Sequence, residues 1–154
     1  MTNCFMQFFL WLNVLLNISM KDEYTTVFYD LVQETQSTTG YELPVEVEAY
    51  VVMLLASKID KPNIIPVESF AQSYLALKQP YRLTAKELGD TCLFVTSVFP
   101  SYGRRYGLDK HYYSNIGKNS YSLVKTSLNG QLFEVLETQF DFVRDFISLT
   151  VRID

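Results

Sequence analysis

Apolar positions recur along this chain at helical spacing and almost nowhere at the spacing of strands. Tyr24, Val27, Phe28, Leu31 and Val32 fall at i, i+3, i+4, i+7 and i+8, one face of a helix over residues 21–39. Gly40 is a fitting stop for it. Pro44 suits the first turn of a second helix. That helix has the apolar stripe Val47, Tyr50, Val51, Leu54, Leu55 and Ile59, and Asp60-Lys61-Pro62 ends it. A loop from Asn63 to Pro66 leads to a short third helix bearing Phe70, Tyr74, Leu75 and Leu77, stopped at Gln79-Pro80.

Thr84 and Glu87 have the spacing of a capping box, in which each side chain binds the other residue's backbone amide. They predict a fourth helix running to about Phe99 and burying Leu88, Cys92, Val95, Val98 and Phe99, with Pro100 and Gly103 breaking it. Asp109 is placed to cap a fifth helix that carries Tyr112, Tyr113, Ile116, Tyr121 and Val124 and ends at Asn129-Gly130. Gly inside a helix costs ~1 kcal/mol relative to Ala. Gly89 and Gly117 therefore predict a tight crossing of the fourth and fifth helices.

The last predicted helix, about residues 131–150, has two adjoining apolar stripes. One is Leu132, Leu136, Phe140, Val143 and Ile147; the other is Val135, Phe142, Phe146 and Leu149. A helix apolar over most of its circumference belongs in the middle of a core. The best strand-like alternation, Tyr121 to Leu128, is isolated, and no Asn-Gly hairpin is flanked by convincing strands. With no internal repeat and no linker, the expected fold is all-α: a single compact bundle of five to six helices over residues 20–154, with the C-terminal helix central.

Residues 1–19 form an apolar extension, most concentrated in Phe5–Ile18. That run is shorter than the ~20 residues of a membrane-spanning helix and is interrupted by Gln7 and Asn13. It also lacks the positive n-region and small-residue cleavage site of a signal peptide. Three readings stand side by side: translation that starts at Met20, a helix packed on the domain, and a membrane anchor or signal.

At 154 residues a single domain is the expectation, and such a chain buries roughly 68–70% of its unfolded surface without disulfides or metal. Two cysteines, Cys4 and Cys92, are too few for a disulfide scaffold and suit a reducing, cytoplasmic compartment. A membrane association would come only through residues 5–18. A single histidine, His111, excludes every site that needs two imidazoles. No cofactor or metal site is expected. The acidic stripe Glu134, Glu137, Asp141 and Asp145 reads as a solvated face, because di-iron bundles add Glu-x-x-His pairs.

Charge changes the picture at one place. Residues 101–125 hold Arg104, Arg105, Lys110, Lys118, Lys125 and the potentially basic His111 against Asp109 alone, a local balance, with His111 counted neutral, of +4 against −8 for the rest of the chain. Tyr102, Tyr106, Tyr112, Tyr113 and Tyr121 fall in the same segment. Arginine donates bidentately to carboxylate or phosphate, and tyrosine adds a flat face with a polar tip. Arg104 and Arg105 beside the positive start of a helix suit an anion. The competing reading pairs them internally with Glu87 and Asp90. Nucleic acid is disfavoured as the partner, because the overall charge is −4 and dedicated nucleic-acid domains are strongly basic. His111 is the only side chain that titrates near neutrality unaided, but no nucleophile stands beside it in a motif. Cys92 reads as buried packing.

The run Leu88-Gly89-Asp90-Thr91-Cys92-Leu93-Phe94, Phe99-Pro100, Arg104-Arg105-Tyr106-Gly107, Tyr112-Tyr113 and Ile116-Gly117 to Ser120-Tyr121 resembles the pattern of a family of uncharacterised bacterial helical proteins. The resemblance covers about residues 44–125 and departs at Tyr106, which stretches the Arg-Arg-Gly run. It implies a bacterial, cytoplasmic, helical protein and no reaction type.

The expected function is a non-enzymatic binding or interaction module. Arg104 and Arg105 are the anion donors, Tyr102, Tyr106 and Tyr113 the walls, His111 a neighbour, and Asp90 the buried orienter of an arginine. The partner is a phosphorylated small molecule or an acidic protein segment. The alternatives are an enzyme with Asp90, His111 and a tyrosine in one pocket, or a membrane-attached accessory protein.

Overall fold

The computed structural model describes residues 21–59, 69–77, 84–124 and 130–152. The readings made for residues 1–20, for the helix stops at 60–62 and 79–80, and for Asn129 lie outside these residues. The described chain is all-helical. It contains α1 (Lys21–Thr39), α2 (Val45–Lys58), α3 (Phe70–Leu75), α4 (Ala85–Val98), a 3₁₀ turn (Arg104–Tyr106), α5 (Lys110–Ser122), α6 (Gly130–Thr138) and α7 (Phe140–Val151). Seven α-helices thus stand where five to six were expected. No described helix is long and apolar enough to cross a membrane. The chain divides into two compact units, Met1–Lys61 and Pro62–Asp154.

In the first unit α1 packs on α2. Val32 of α1 and Val47, Val51 and Leu55 of α2 are buried, as the 3.6-residue spacing requires. One carboxylate ties the pair together. Glu48 accepts from Gln33 Nε2 at 2.8 Å and from Gln36 Nε2 at 2.9 Å, while the Gln36 side-chain Oε1 accepts from the Leu43 amide at 2.8 Å. The connection between the helices is thereby pinned to the helix on either side of it.

In the second unit the most deeply buried helix is α4, not the C-terminal one. Every residue from Leu88 to Ser97 is buried, and α4 packs against α3, α5 and α7. Apolarity alone underrates α4 because it carries Thr91, Thr96 and Ser97. Each of these hydroxyls donates to a carbonyl four residues back in its own helix: Glu87 at 2.8 Å, Cys92 at 2.7 Å and Leu93 at 2.6 Å. Satisfied in this way, a Thr or Ser can be buried without a partner from elsewhere. The capping box is present in both directions, with the Thr84 amide donating to Glu87 and the Glu87 amide donating to Thr84.

The expected single helix over 131–150 is two helices, broken at Gln139 (φ −105°, ψ 19°). Its double stripe therefore never lies on one cylinder. Phe133 and Leu136 are the buried apolar residues of α6, whereas α7 buries Phe140, Val143, Phe146 and Ile147 and leaves Phe142 and Leu149 exposed. Each helix is amphipathic in its own right and packs on one side.

The predicted tight crossing is present. A Cβ at Gly89 would lie 2.6 Å from Cε1 of Tyr121, and one at Gly117 would lie 2.6 Å from the Phe140 ring and 2.9 Å from Cβ of Cys92. Gly89 seats a ring from α5 against α4, and Gly117 lets α4 and α7 both reach α5. A methyl group at either place meets a ring already fixed in the core. Gly89→Ala is expected to lower the unfolding free energy by about 2–3 kcal/mol in a urea titration. Gly130→Ala, where a Cβ meets nothing within 4 Å, is expected to leave stability unchanged or slightly raised. Equal effects at the two positions would show that the crossing is not tight.

Candidate functional site

The basic segment leaves α4 at Phe99 and returns to helix at Lys110 through a succession of short hydrogen bonds. Tyr102 N donates to Phe99 O at 2.9 Å, Arg104 N to Ser101 O at 3.2 Å, Tyr106 N to Gly103 O at 2.9 Å, Gly107 N to Arg104 O at 3.0 Å and Leu108 N to Gly103 O at 3.1 Å. Gly103 (φ +85°) and Gly107 (φ +74°) bracket the 3₁₀ turn in the left-handed region, which costs a residue with a Cβ ~1 kcal/mol or more. At Gly103 a Cβ would also collide with the Tyr113 phenol.

That phenol belongs to an aromatic platform. Phe70 stacks on Tyr102 with centroids 5.9 Å apart. Tyr113 meets Phe70 at 5.0 Å, Tyr102 at 5.3 Å and Tyr112 at 5.0 Å. Burial, and then the neighbouring tyrosines, raise the Tyr113 pKa above its ordinary value, so it remains a neutral phenol. Tyr113 is buried: it supports the turn from beneath and is not the exposed wall expected of it. Tyr102 is half-buried at the platform's edge.

Above the platform Arg104, Arg105 and Tyr106 are exposed, Tyr106 by 71%. The Arg105 guanidinium lies over the Tyr106 ring at 5.8 Å from its centroid. Lys110 and His111 are exposed on the first turn of α5. Among the described residues none of Arg104, Arg105, Lys110 and His111 takes part in an ion pair. Internal pairing with Glu87 and Asp90 is therefore not what holds the two arginines. The amide end of α5 already has an anion, since Asp109 Oδ1 accepts from Tyr112 N at 3.1 Å.

Asp90 sits elsewhere and serves other groups. Its Oδ1 accepts from the Tyr121 hydroxyl at 2.7 Å and its Oδ2 pairs with Lys86 at 3.0 Å, so the arginine it was expected to orient is replaced by a tyrosine. His111 stands ten residues before Tyr121 on the same helix, about 15 Å along its axis. Asp90, Tyr121 and His111 therefore do not share one pocket. Cys92 is fully buried, and burial drives its thiol far above the ordinary range, leaving it un-ionised.

One polar centre was not anticipated. Arg144 of α7 is only 3% exposed. Its Nη1 donates to Ser114 Oγ of α5 at 2.7 Å and to Asp141 at 2.8 Å, and its Nε donates to Asp145 at 3.0 Å. Asp141 also accepts from Lys118 Nζ at 2.6 Å. Half of the supposed solvated stripe is thus engaged in holding a buried cation between two helices. The available signal was the Asp141-x-x-Arg144 spacing, which puts the two side chains on one face. Among the described residues no group of His, Cys, Asp and Glu is arranged to hold a metal ion. An open polar cleft of about 380 Å³ lies in the first unit, lined by Gln33, Gln36, Ser37, Glu42, Leu43 and Glu48. Its glutamines are already bonded to Glu48.

No family model, no curated protein and no solved structure matches the chain. Its functional reading therefore rests on its own residues.

Two expectations follow from these polar centres. Partial burial raises the Asp141 pKa, but the Lys118 hydrogen bond and the charges of Arg144, Lys118 and His111 outweigh it and leave the pKa below its ordinary value. A carboxylate depressed in the folded state adds stability above its unfolded pKa and loses it as pH falls through the folded pKa. The stability gap between wild type and Asp141→Asn is therefore expected to be widest at neutral pH. It should narrow below about pH 4, as followed by thermal melts across pH. A pH-independent gap would mean that the charge of Asp141 is not what matters. Tyr121→Phe removes a donor from the buried Asp90 carboxylate and is expected to cost about 2 kcal/mol in denaturant unfolding. An unchanged unfolding free energy would remove the hydroxyl from the account of the crossing.

Proposed function

We propose that this chain is a non-enzymatic binding module that recognises anions through Arg104 and Arg105 on the turn between α4 and α5. One observation carries the reading: two adjacent guanidinium groups stand exposed, unclaimed by any described carboxylate, in a chain of net charge −4. An acidic protein has many carboxylates with which to neutralise such a pair, and here the acids that the sequence offered as its partners are engaged otherwise. Glu87 closes the capping box, Asp109 caps α5, and Asp90 holds Tyr121.

The ring platform of Phe70, Tyr102, Tyr112 and Tyr113 packs beneath the turn, and such support reduces the ordering cost that falls on binding. Tyr106 and the edge of Tyr102 flank the arginines, and Lys110 adds positive potential beside them. The candidate acid–base groups of the enzyme alternative are held apart, which favours binding over catalysis.

Arg104 and Arg105 make no ion pair among the described residues, so replacing them separates binding from folding. The double substitution Arg104→Ala/Arg105→Ala is expected to melt within about 2 °C of wild type, a surface-level effect. Calorimetric affinity for tripolyphosphate or a Glu-rich peptide at low salt is expected to fall about tenfold or more. A variant that unfolds, a variant that binds as wild type does, or a wild type that binds neither probe overturns the proposal.

A further inference from the structure

We infer that the turn's ligand is an acidic polypeptide segment, a run of several Asp or Glu side chains, and not a single phosphate-bearing small molecule; this rests on the reading of the turn as an anion site. The first ground is the helix type. With three residues per turn, adjacent side chains of a 3₁₀ segment leave the axis about 120° apart. Arg104 and Arg105 therefore do not converge on one point, as clamping one phosphate requires. They suit two separate carboxylates on a chain passing over the turn.

The second ground is surface shape. Residues 104–111 are all exposed except half-buried Leu108. Small-molecule sites are concave and bury about 70–90% of their ligand, whereas a projecting run of this kind can only be covered by something larger than itself. The third ground is the helix start. The Tyr112 amide, which would contribute to a phosphate cradle at α5, already donates to Asp109, so a phosphate would have to displace the chain's own carboxylate there.

The fourth ground is the character of what surrounds the charges. Tyr106 is 71% exposed with Arg105 on its face, and Phe99, five residues before Arg104, is 47% exposed. Tyrosine and arginine are the residues that dominate protein–protein contact energies. An apolar ring among cations gives the stems and apolar neighbours of acidic side chains something to pack on. Lys110 extends the positive strip past the turn and the capping Asp109, so the surface presents three cations, Arg104, Arg105 and Lys110. Charge complementarity then selects a partner with several carboxylates in succession.

The test is fluorescence anisotropy of a labelled short Glu-rich peptide with the full chain, at low and physiological salt. Inorganic phosphate, tripolyphosphate and an oligothymidylate compete in parallel, and Arg104→Ala/Arg105→Ala is the control. Arg104→Lys/Arg105→Lys separates charge from guanidinium geometry. The expected result is saturable peptide binding that weakens about tenfold between the two salt conditions. It should weaken by about tenfold in the alanine variant and be retained in part by the lysine variant, with phosphate failing to compete. If tripolyphosphate binds through the arginines and the peptide does not, the peptide inference falls while the anion-site reading stands. Tighter binding of the oligothymidylate likewise overturns the inference alone. If nothing binds, or the alanine variant binds every probe as wild type does, both fall together.

Discussion

The second unit depends on the seating of one ring. Tyr121 comes off α5 with its face against the backbone of Gly89, and its hydroxyl reaches the carboxylate of the next residue, Asp90. Gly89 provides the space and Asp90 the hydrogen bond, so adjacent residues fix both the depth and the register of the contact. Any shift of α5 along α4 breaks one or the other. The same ring lies 5.8 Å from Phe133 of α6 and 6.0 Å from Phe140 of α7. The register between α4 and α5 is thereby passed to the last two helices. Gly117 repeats the device four residues earlier on α5, with Cys92 on one side and Phe140 on the other.

With that register fixed, the chain between Phe99 and Lys110 must bridge two closely crossed helices. It folds tightly over the rings lying beneath it. Tyr113 is turned inward by its position on α5, and the missing Cβ of Gly103 leaves room for its phenol. The arginines then have no inward option. They follow Gly103 on a turn whose lower side is filled with rings, and they project outward because the backbone beneath them is already packed. Exposure of the pair is in this sense a consequence of the Gly89–Tyr121 contact some distance away.

Much of this was legible in local pattern. The helical spacing of Val47, Val51 and Leu55, the Thr84–Glu87 box, the Asp109 cap and the two close-contact glycines all have causes within a few residues of chain, and all are present. The charge imbalance that singled out residues 101–125 needs only counting. What was not legible depended on partners distant in sequence. Composition ranks Ala85–Val98 below the last helix as a core element, because hydroxyls that bond to their own backbone look polar in a sequence. Gln139 breaks the last helix without a proline or glycine to announce it. Asp90 looked like a partner for arginine because both are charged, yet the group brought to it by the fold is a tyrosine 31 residues on.

Arg144, Arg104 and Arg105 of the second unit show how the same side chain is given opposite tasks. Arg144 is nearly as buried as its apolar neighbours, with three of its side chain's contacts going to Ser114, Asp141 and Asp145. A buried cation is tolerated only when such partners are in place. Among the described residues Arg104 and Arg105 have no partners of this kind, and both are exposed. The difference lies in neighbouring residues: Asp141 and Asp145 stand three before and one after Arg144, while Gly103, Tyr106 and Gly107 offer the other two no carboxylate at all. In a chain with more acids than bases, withholding acids from one turn leaves positive potential there that no ion pair among the described residues neutralises.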